Sequence, residues 1–231
     1  MSPSNRLNPG WLDHARMPLM QLRRAVDTAL NDWIQPAPGG TVVDVGSGDS
    51  PYRSLFEAKG LKYIACDIDE PADVLIRPGE PIPLPDQSAD LVVSFQVLEH
   101  VWELEWYLGE CRRLLKPGGG KFLISTHGVW LYHPHPGDYR RWTHTGLVKE
   151  IEQYRFSVTQ IVGLVGPLAW TSQIRLLGYR QLVSGIPIVG PVLFTPIVLF
   201  MNLRMAIEEA VTPNHIRHDH ASIYLCLCEG T

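Results

Sequence analysis

The densest chemistry in the chain lies between residues 127 and 143: His127, then His133-Pro134-His135-Pro136-Gly137-Asp138-Tyr139-Arg140-Arg141-Trp142-Thr143. An imidazole titrates near neutral pH, so His127, His133 or His135 can serve as a general base, while Asp138 with Arg140 can orient a bound reactant. The same residues also suit a plainer role, an Asp–Arg pair and Tyr139 pinning a loop. A second candidate is Asp44-Val45-Gly46-Ser47-Gly48. Gly46 and Gly48 reach φ > 0 and carry no Cβ, so backbone can press against a ligand there. Asp67 closes the short apolar run from Tyr63 and follows that turn by about 20 residues, as a clamp on ribose hydroxyls requires. Pro51 stands where a dinucleotide fingerprint has its third glycine, which disfavours a nicotinamide-linked enzyme.

Two further groups are ambiguous. Glu99-His100 can ligate a cation, or cap a helix and brace a pocket floor. His215, His218 and His220 have a spacing that suits zinc, but no cysteine or closed four-ligand set accompanies them. A solvated loop is the expectation for them. Asp86 and Asp90 read as turn and strand-start residues.

The elements that must position these groups are legible from periodicity. Leu19, Leu22, Val26, Ala29, Leu30 and Trp33 recur at helical spacing over 16–34, and Pro36-Ala37-Pro38-Gly39-Gly40 ends that helix. A β-branched run from Thr41 predicts the first strand. A helix over 50–59, strands over 61–66 and 74–76, and a central strand over 90–95 follow. Val97, Val101, Leu104, Leu108, Cys111 and Leu115 share one helical face. Strand 121–126, a helix capped by Thr143, strand 156–162 and a last strand over 222–228 complete the pattern. Strand–helix alternation predicts α/β architecture: a Rossmann-like, doubly wound, mostly parallel seven-stranded sheet. In this reading 1–40 is an N-terminal helical cap, 41–163 the core, 164–213 an apolar helical insertion and 214–231 the last strand.

In order, the glycine turn, Tyr63–Asp67, Ile82–Ser94 with Gln96-Val97-Leu98-Glu99-His100-Val101, and Arg113-Leu114-Leu115-Lys116-Pro117-Gly118-Gly119 resemble the class I S-adenosylmethionine (SAM)-dependent methyltransferases of the type 11, small-molecule group. The resemblance covers residues 40–165. It implies that Asp44, Gly46 and Gly48 hold the methionine end of SAM. It likewise implies that Asp67 takes the ribose hydroxyls, Ile68 flanks the adenine and Gln96 lies by the amino-acid part. The acid that meets the adenine amine in this family is missing from Arg77-Pro78-Gly79-Glu80, so Glu80 or a backbone group would substitute. A segment before the first strand often covers the cofactor in the family, which would bring Trp11, His14 or Arg16 near it; the equal alternative is a helix that packs on the sheet edge. Some ubiquinone-pathway O-methyltransferases hold a metal by Glu, Glu and His at the Glu99-His100 block. Gln96 replaces the first Glu here, and no metal is expected. The histidine run resembles the H-x-x-P-x-D-Y-x-R-x-T pattern of a subset of the family. The implied activity is methyl transfer to a small-molecule or lipid-linked acceptor, with O-methylation favoured because the loop offers bases. The alternative is a non-catalytic SAM-fold protein that binds a partner.

With 231 residues, a net charge of -4 and pI near 6.1, the chain has no basic block and no expected nucleic-acid partner. Cys66, Cys111, Cys226 and Cys228 show no disulfide framework. The polar Met1–Asn5 start lacks a signal-peptide core, so a cytoplasmic protein is expected. The last two strands are about 60 residues apart, against a short turn in the family. Between them, no residue from Gln181 to Leu203 is charged. Gly185, Pro187, Gly190, Pro191 and Pro196 argue against one spanning helix. A lid, a homodimer surface or a peripheral membrane dock through 181–203 remain, the first two favoured.

Overall fold

Short β-branched runs make the centre of the molecule. The computed structural model describes residues 6–184 and 189–231. Its strands are β1 (Thr41–Val45), β2 (Lys62–Asp67), β3 (Val74–Leu75), β4 (Leu91–Phe95), β5 (Lys121–His127), β6 (Phe156–Leu164) and β7 (Ile223–Gly230). They form one sheet in the order β3-β2-β1-β4-β5-β7-β6. β7 runs antiparallel to both neighbours and the other pairings are parallel. The strand order reverses between β1 and β4. In an open α/β sheet the crevice beyond the carboxyl ends of such strands receives ligands.

The helices are α1 (Arg16–Thr28, continued by a π turn over Ala29–Ile34), α2 (Arg53–Glu57), α3 (Leu104–Leu114), α4 (His144–Glu152), α5 (Pro167–Ser184), α6 (Val189–Val211) and α7 (Asn214–Asp219). Alternating strand residues feed two apolar layers. Val43, Val45, Val92, Phe122 and Ile124 pack under α3 and α4. Val42, Leu91, Val93, Leu123 and Leu225 pack under Leu22, Val26 and Leu30 of α1 and Phe56 of α2. The predicted cap at Thr143 is present: its Oγ1 accepts from Gly146 N at 3.2 Å.

Two expectations change. The helix read from Val97 begins at Leu104, because Gln96 takes φ 58° and Leu98–His100 forms a single 3-10 turn. Val97 and Val101 flank that turn and line a cleft instead. The repeated breaks expected in the insertion are also absent from α6, which runs unbroken through Pro191 and Pro196. Pro191 falls in the first turn, where its missing N–H has no intrahelical acceptor, and Pro196 removes one ladder bond only. Gly185 and Pro187 lie outside the described residues.

α5 and α6 enclose a third cluster of Ala169, Leu176, Val198, Met201 and Met205. The outward side of α6 exposes Val192, Phe200, Leu203, Ile207 and Val211. Among the described residues no helix is long and apolar enough to cross a membrane. The inward side grips the N-terminal segment: buried Asn202 donates from Nδ2 to the Trp11 and Asp13 carbonyls at 2.7 and 3.0 Å. Gln173 Nε2 donates to the His14 carbonyl at 2.7 Å. Asn202→Ala is expected to cost about 1–3 kcal/mol, the range for stranding buried hydrogen-bond partners. It should also speed proteolytic cutting before Arg16 while far-ultraviolet dichroism of the sheet is retained. A variant as stable and as protease-resistant as wild type would remove this anchoring role.

Candidate active site

β1 ends in a turn whose shape depends on its glycines. Gly46 has φ +84°, and a Cβ there would stand 2.6 Å from the Val97 side chain. Gly48 has φ +53° and faces open space. Gly46 N and Ser47 N both donate to the Cys66 carbonyl, at 2.8 and 3.0 Å, clasping the turn to the end of β2. Asp67, the last residue of β2, is tied into the same clasp: its Oδ2 accepts from Gly48 N at 2.6 Å and its Oδ1 from Ile68 N at 2.8 Å.

Beside this turn lies a cleft of about 470 Å³. Asp44, Gly46, Gly48, Asp67, Ile68 and Gln96 all line it. Asp44 is buried and takes the Tyr63 hydroxyl on Oδ2, while its Oδ1 has no partner. Burial raises its carboxyl to about 7, opposed by the Tyr63 hydrogen bond and reinforced by the nearby Asp67 charge. Gln96 donates from Nε2 to Ser125 Oγ at 2.9 Å and leaves Oε1 buried without a partner. Tyr52, Phe95, Trp102, Trp106 and Tyr107 supply aromatic walls. These walls are what the sequence motifs left out. Tyr63 was visible only as a strand residue, and its role depends on β1–β2 register placing it across from Val42, two residues before Asp44.

The histidine run divides sharply. His135 and Tyr139 line the cleft, as does His100. His127 is buried and stacks on Trp130, and burial holds its pKa well below the usual value. His133 is half-buried, its Nδ1 on the Leu131 carbonyl at 2.9 Å, and its pKa is lowered chiefly by burial. Neither ring lines the cleft. Asp138 pairs with Arg141, not Arg140, through contacts of 2.5 and 2.8 Å, and accepts from His133 N at 2.9 Å. The Arg141 guanidinium holds the Asp138 carboxyl well below the usual carboxylate range. Arg140 instead donates to the Val101 and Trp102 carbonyls at 2.5 and 3.1 Å and lies over the Trp102 ring. Asp138 and Arg140 therefore brace the loop, and the expected acceptor-orienting pair is not assembled.

Other expectations are redrawn. Arg6, Leu19 and Leu22 line the cleft from the N-terminal segment, in place of Trp11, His14 and Arg16. No described residue of 164–213 lines it. Glu80 pairs with Arg77 and does not line the cleft, whereas Asp69 and Glu103 do. Asp86 and Asp90 are structural as read, paired with Arg113 and Lys116. His218 meets the His144 ring and Asp219, and no metal-holding group among the described residues includes His215, His218 or His220.

The strand order and a ligand cleft at the β1–β4 reversal define a Rossmann-like class I methyltransferase fold. The phosphoethanolamine N-methyltransferase 2 of Haemonchus contortus, solved with SAM, superposes with TM-score 0.54 at 15% identity, over 100% of this chain and 60% of that one. The [4+2]-cyclase SpnF superposes with TM-score 0.59 at 14% identity, over 92% and 83%. Residues 43–123 match a family described as a methyltransferase domain. A probable SAM-dependent methyltransferase of Mycolicibacterium smegmatis is 31% identical over 143 residues, which are 54% of this chain and 55% of that protein. The chain thus spans about half the length of this curated relative. The match to a type 11 methyltransferase domain rests on residues 43–123, and SAM is the cofactor it indicates.

The residues present fit that cofactor. An unpartnered buried carboxylate oxygen on Asp44 suits an ammonium group, and the open Gly48 turn suits close backbone approach. Asp67→Ala is expected to weaken SAM binding at least tenfold in calorimetric titration, and unchanged affinity would sink the ribose assignment. Asp44 binds its proton more tightly folded than unfolded, so stability of the free protein should fall as pH rises from 3.8 toward about 7. SAM affinity should rise through the upper part of the same window, as the carboxylate forms. Melting and titration at several pH values check both trends, which Asp44→Asn should flatten.

Proposed function

We propose that the chain transfers the methyl group of SAM to a hydroxyl of a small-molecule or lipid-linked acceptor. The observation that carries this reading is the placement of His135 in the same cleft as Asp44, Gly48, Asp67 and Gln96. Bound SAM supplies an electrophilic methyl on a sulfonium, which departs as a neutral thioether. The chain's own work is to align an acceptor and exclude water. Asp44 and Gln96 would hold the amino-acid end, Asp67 the ribose, and Ile68 the adenine. The aromatic walls favour an acceptor with an apolar body. His135 is exposed at the mouth of the cleft and would take the hydroxyl proton. His127 and His133, shielded from the cleft, are set aside as bases in this reading.

The exposed apolar stripe of α6 favours a second reading, a SAM-fold protein that acts through a partner, a second copy or a membrane surface. A cytoplasmic protein with peripheral contact through 181–203 accommodates either. Turnover separates them. Calorimetric titration with SAM, S-adenosylhomocysteine and NADH should show binding of the first two only. An acceptor screen read by S-adenosylhomocysteine release should then yield a substrate. In that assay His135→Ala should lower turnover by about 10²–10⁴-fold, the span of a lost general base, at unchanged SAM affinity. Full activity in the variant would move the base elsewhere. SAM binding with no turnover across the screen would favour the partner reading.

A further inference from the structure

Glu99 is fully buried in the 3-10 turn after β4, and its carboxylate is only half satisfied. Oε2 accepts from Thr126 Oγ1 at 2.7 Å, while Oε1 has no hydrogen-bond partner. Three imidazoles crowd that side. His127 Nε2 stands 3.5 Å from Oε1, and His100 Nε2 stands 4.0 Å from it. The His133 ring lies edge-on to both His127 and His100, with centroids 5.1 and 4.8 Å apart. One ligand atom from each of Glu99, His127 and His133 falls within 4.8 Å of the others.

We propose that Glu99, His127 and His133 bind a divalent transition-metal ion of the zinc class, at a site beside the cleft and separate from the cofactor residues. Two imidazoles and a carboxylate without thiolate suit zinc and its neighbours better than magnesium or calcium, which take oxygen. The contacts of His133 allow this: with the proton on Nδ1, facing the Leu131 carbonyl at 2.9 Å, Nε2 keeps its lone pair. A ring whose other nitrogen donates to a carbonyl is the usual support of a metal-binding histidine. His127, the second imidazole ligand, has no hydrogen-bond partner on Nδ1 among the described residues. Bonds of about 2.0–2.2 Å in a tetrahedral shell separate ligand atoms by about 3.3–3.6 Å. Glu99 and His127 already have that spacing, so loop-borne His133 is the ligand that would close in. Arg141, whose Nη2 lies 3.3 Å from His133 Nδ1, is neutralised by its paired contacts to Asp138. Gln96, whose presence argued against a metal at the Glu99-His100 block, is not among these ligands and bonds Ser125 instead.

The ligands come from the turn after β4, the end of β5 and the histidine loop. A bound ion would therefore staple that loop, including cleft residues His135 and Tyr139, to the sheet. The test uses the full chain stripped with chelator and titrated with zinc chloride alone. One equivalent should bind with micromolar or tighter affinity, raise the melting temperature, and with cobalt(II) give visible absorption of a nitrogen–oxygen site. Glu99→Gln keeps the shape and the contact with Thr126, and His133→Ala alters a loop residue. Each should weaken binding at least tenfold while keeping the wild-type dichroism. His218→Ala should leave it unchanged. Absence of stoichiometric binding to wild type overturns the proposal. So does binding that survives both site variants but is lost with His218→Ala, which would place the ion at the surface histidines.

Discussion

Gly46 sits beneath Val97 with no space for a Cβ, and its N–H and that of Ser47 share one carbonyl at the end of β2. This contact ties three strands together at the point where their order reverses. β1 delivers the turn, β2 the acceptor carbonyl and Asp67, and β4 the chain that leads to Val97. The cleft exists because the turn is tight enough to let β1 and β4 part without a side chain between them. Asp44, Asp67 and Gln96 are brought to one space by that arrangement, although they are spread over more than fifty residues of sequence.

Much of this was legible beforehand, for physical reasons that can be named. β1, β4 and β5 are buried on both faces and read as continuous apolar, β-branched runs. The cleft residues at the ends of β1 and β2 were legible because a turn and the acid after a strand are local features. The misreadings arose where local pattern and tertiary packing disagree. Val97 and Val101 have helical spacing with Leu104, yet Gln96 turns left-handed and sends them to the cleft. Asp138 has two arginines in reach by sequence, and only the geometry of the loop selects Arg141. The helix of residues 189–211 survives its prolines because packing against α5 outweighs the lost ladder bond.

The histidine loop shows the limit most clearly. His127, His133 and His135 are interchangeable by composition. Their fates differ because β5 ends with His127 pointing at the turn after β4, where Phe95 pairs with Ser125 and brings Glu99 alongside. Nothing in a linear reading reports that Glu99 and His127 meet, because strand pairing creates the encounter. The outcome is a division of labour: one histidine faces the cleft while two attend a buried carboxylate that no protein donor fully satisfies.

β7 is inserted between β5 and β6 in space but follows both in the chain, after the α5–α6 excursion. Until it pairs, β5 and β6 each keep an open row of backbone donors and acceptors facing the other across a vacant strand. The α5–α6 hairpin precedes β7 in the chain. The molecule is therefore assembled like a zip closed from the middle, its last tooth arriving after the flanks are in place. Such an order leaves the nascent protein in need of shielding at that seam during synthesis, a demand made by topology and not by the chemistry of the cleft.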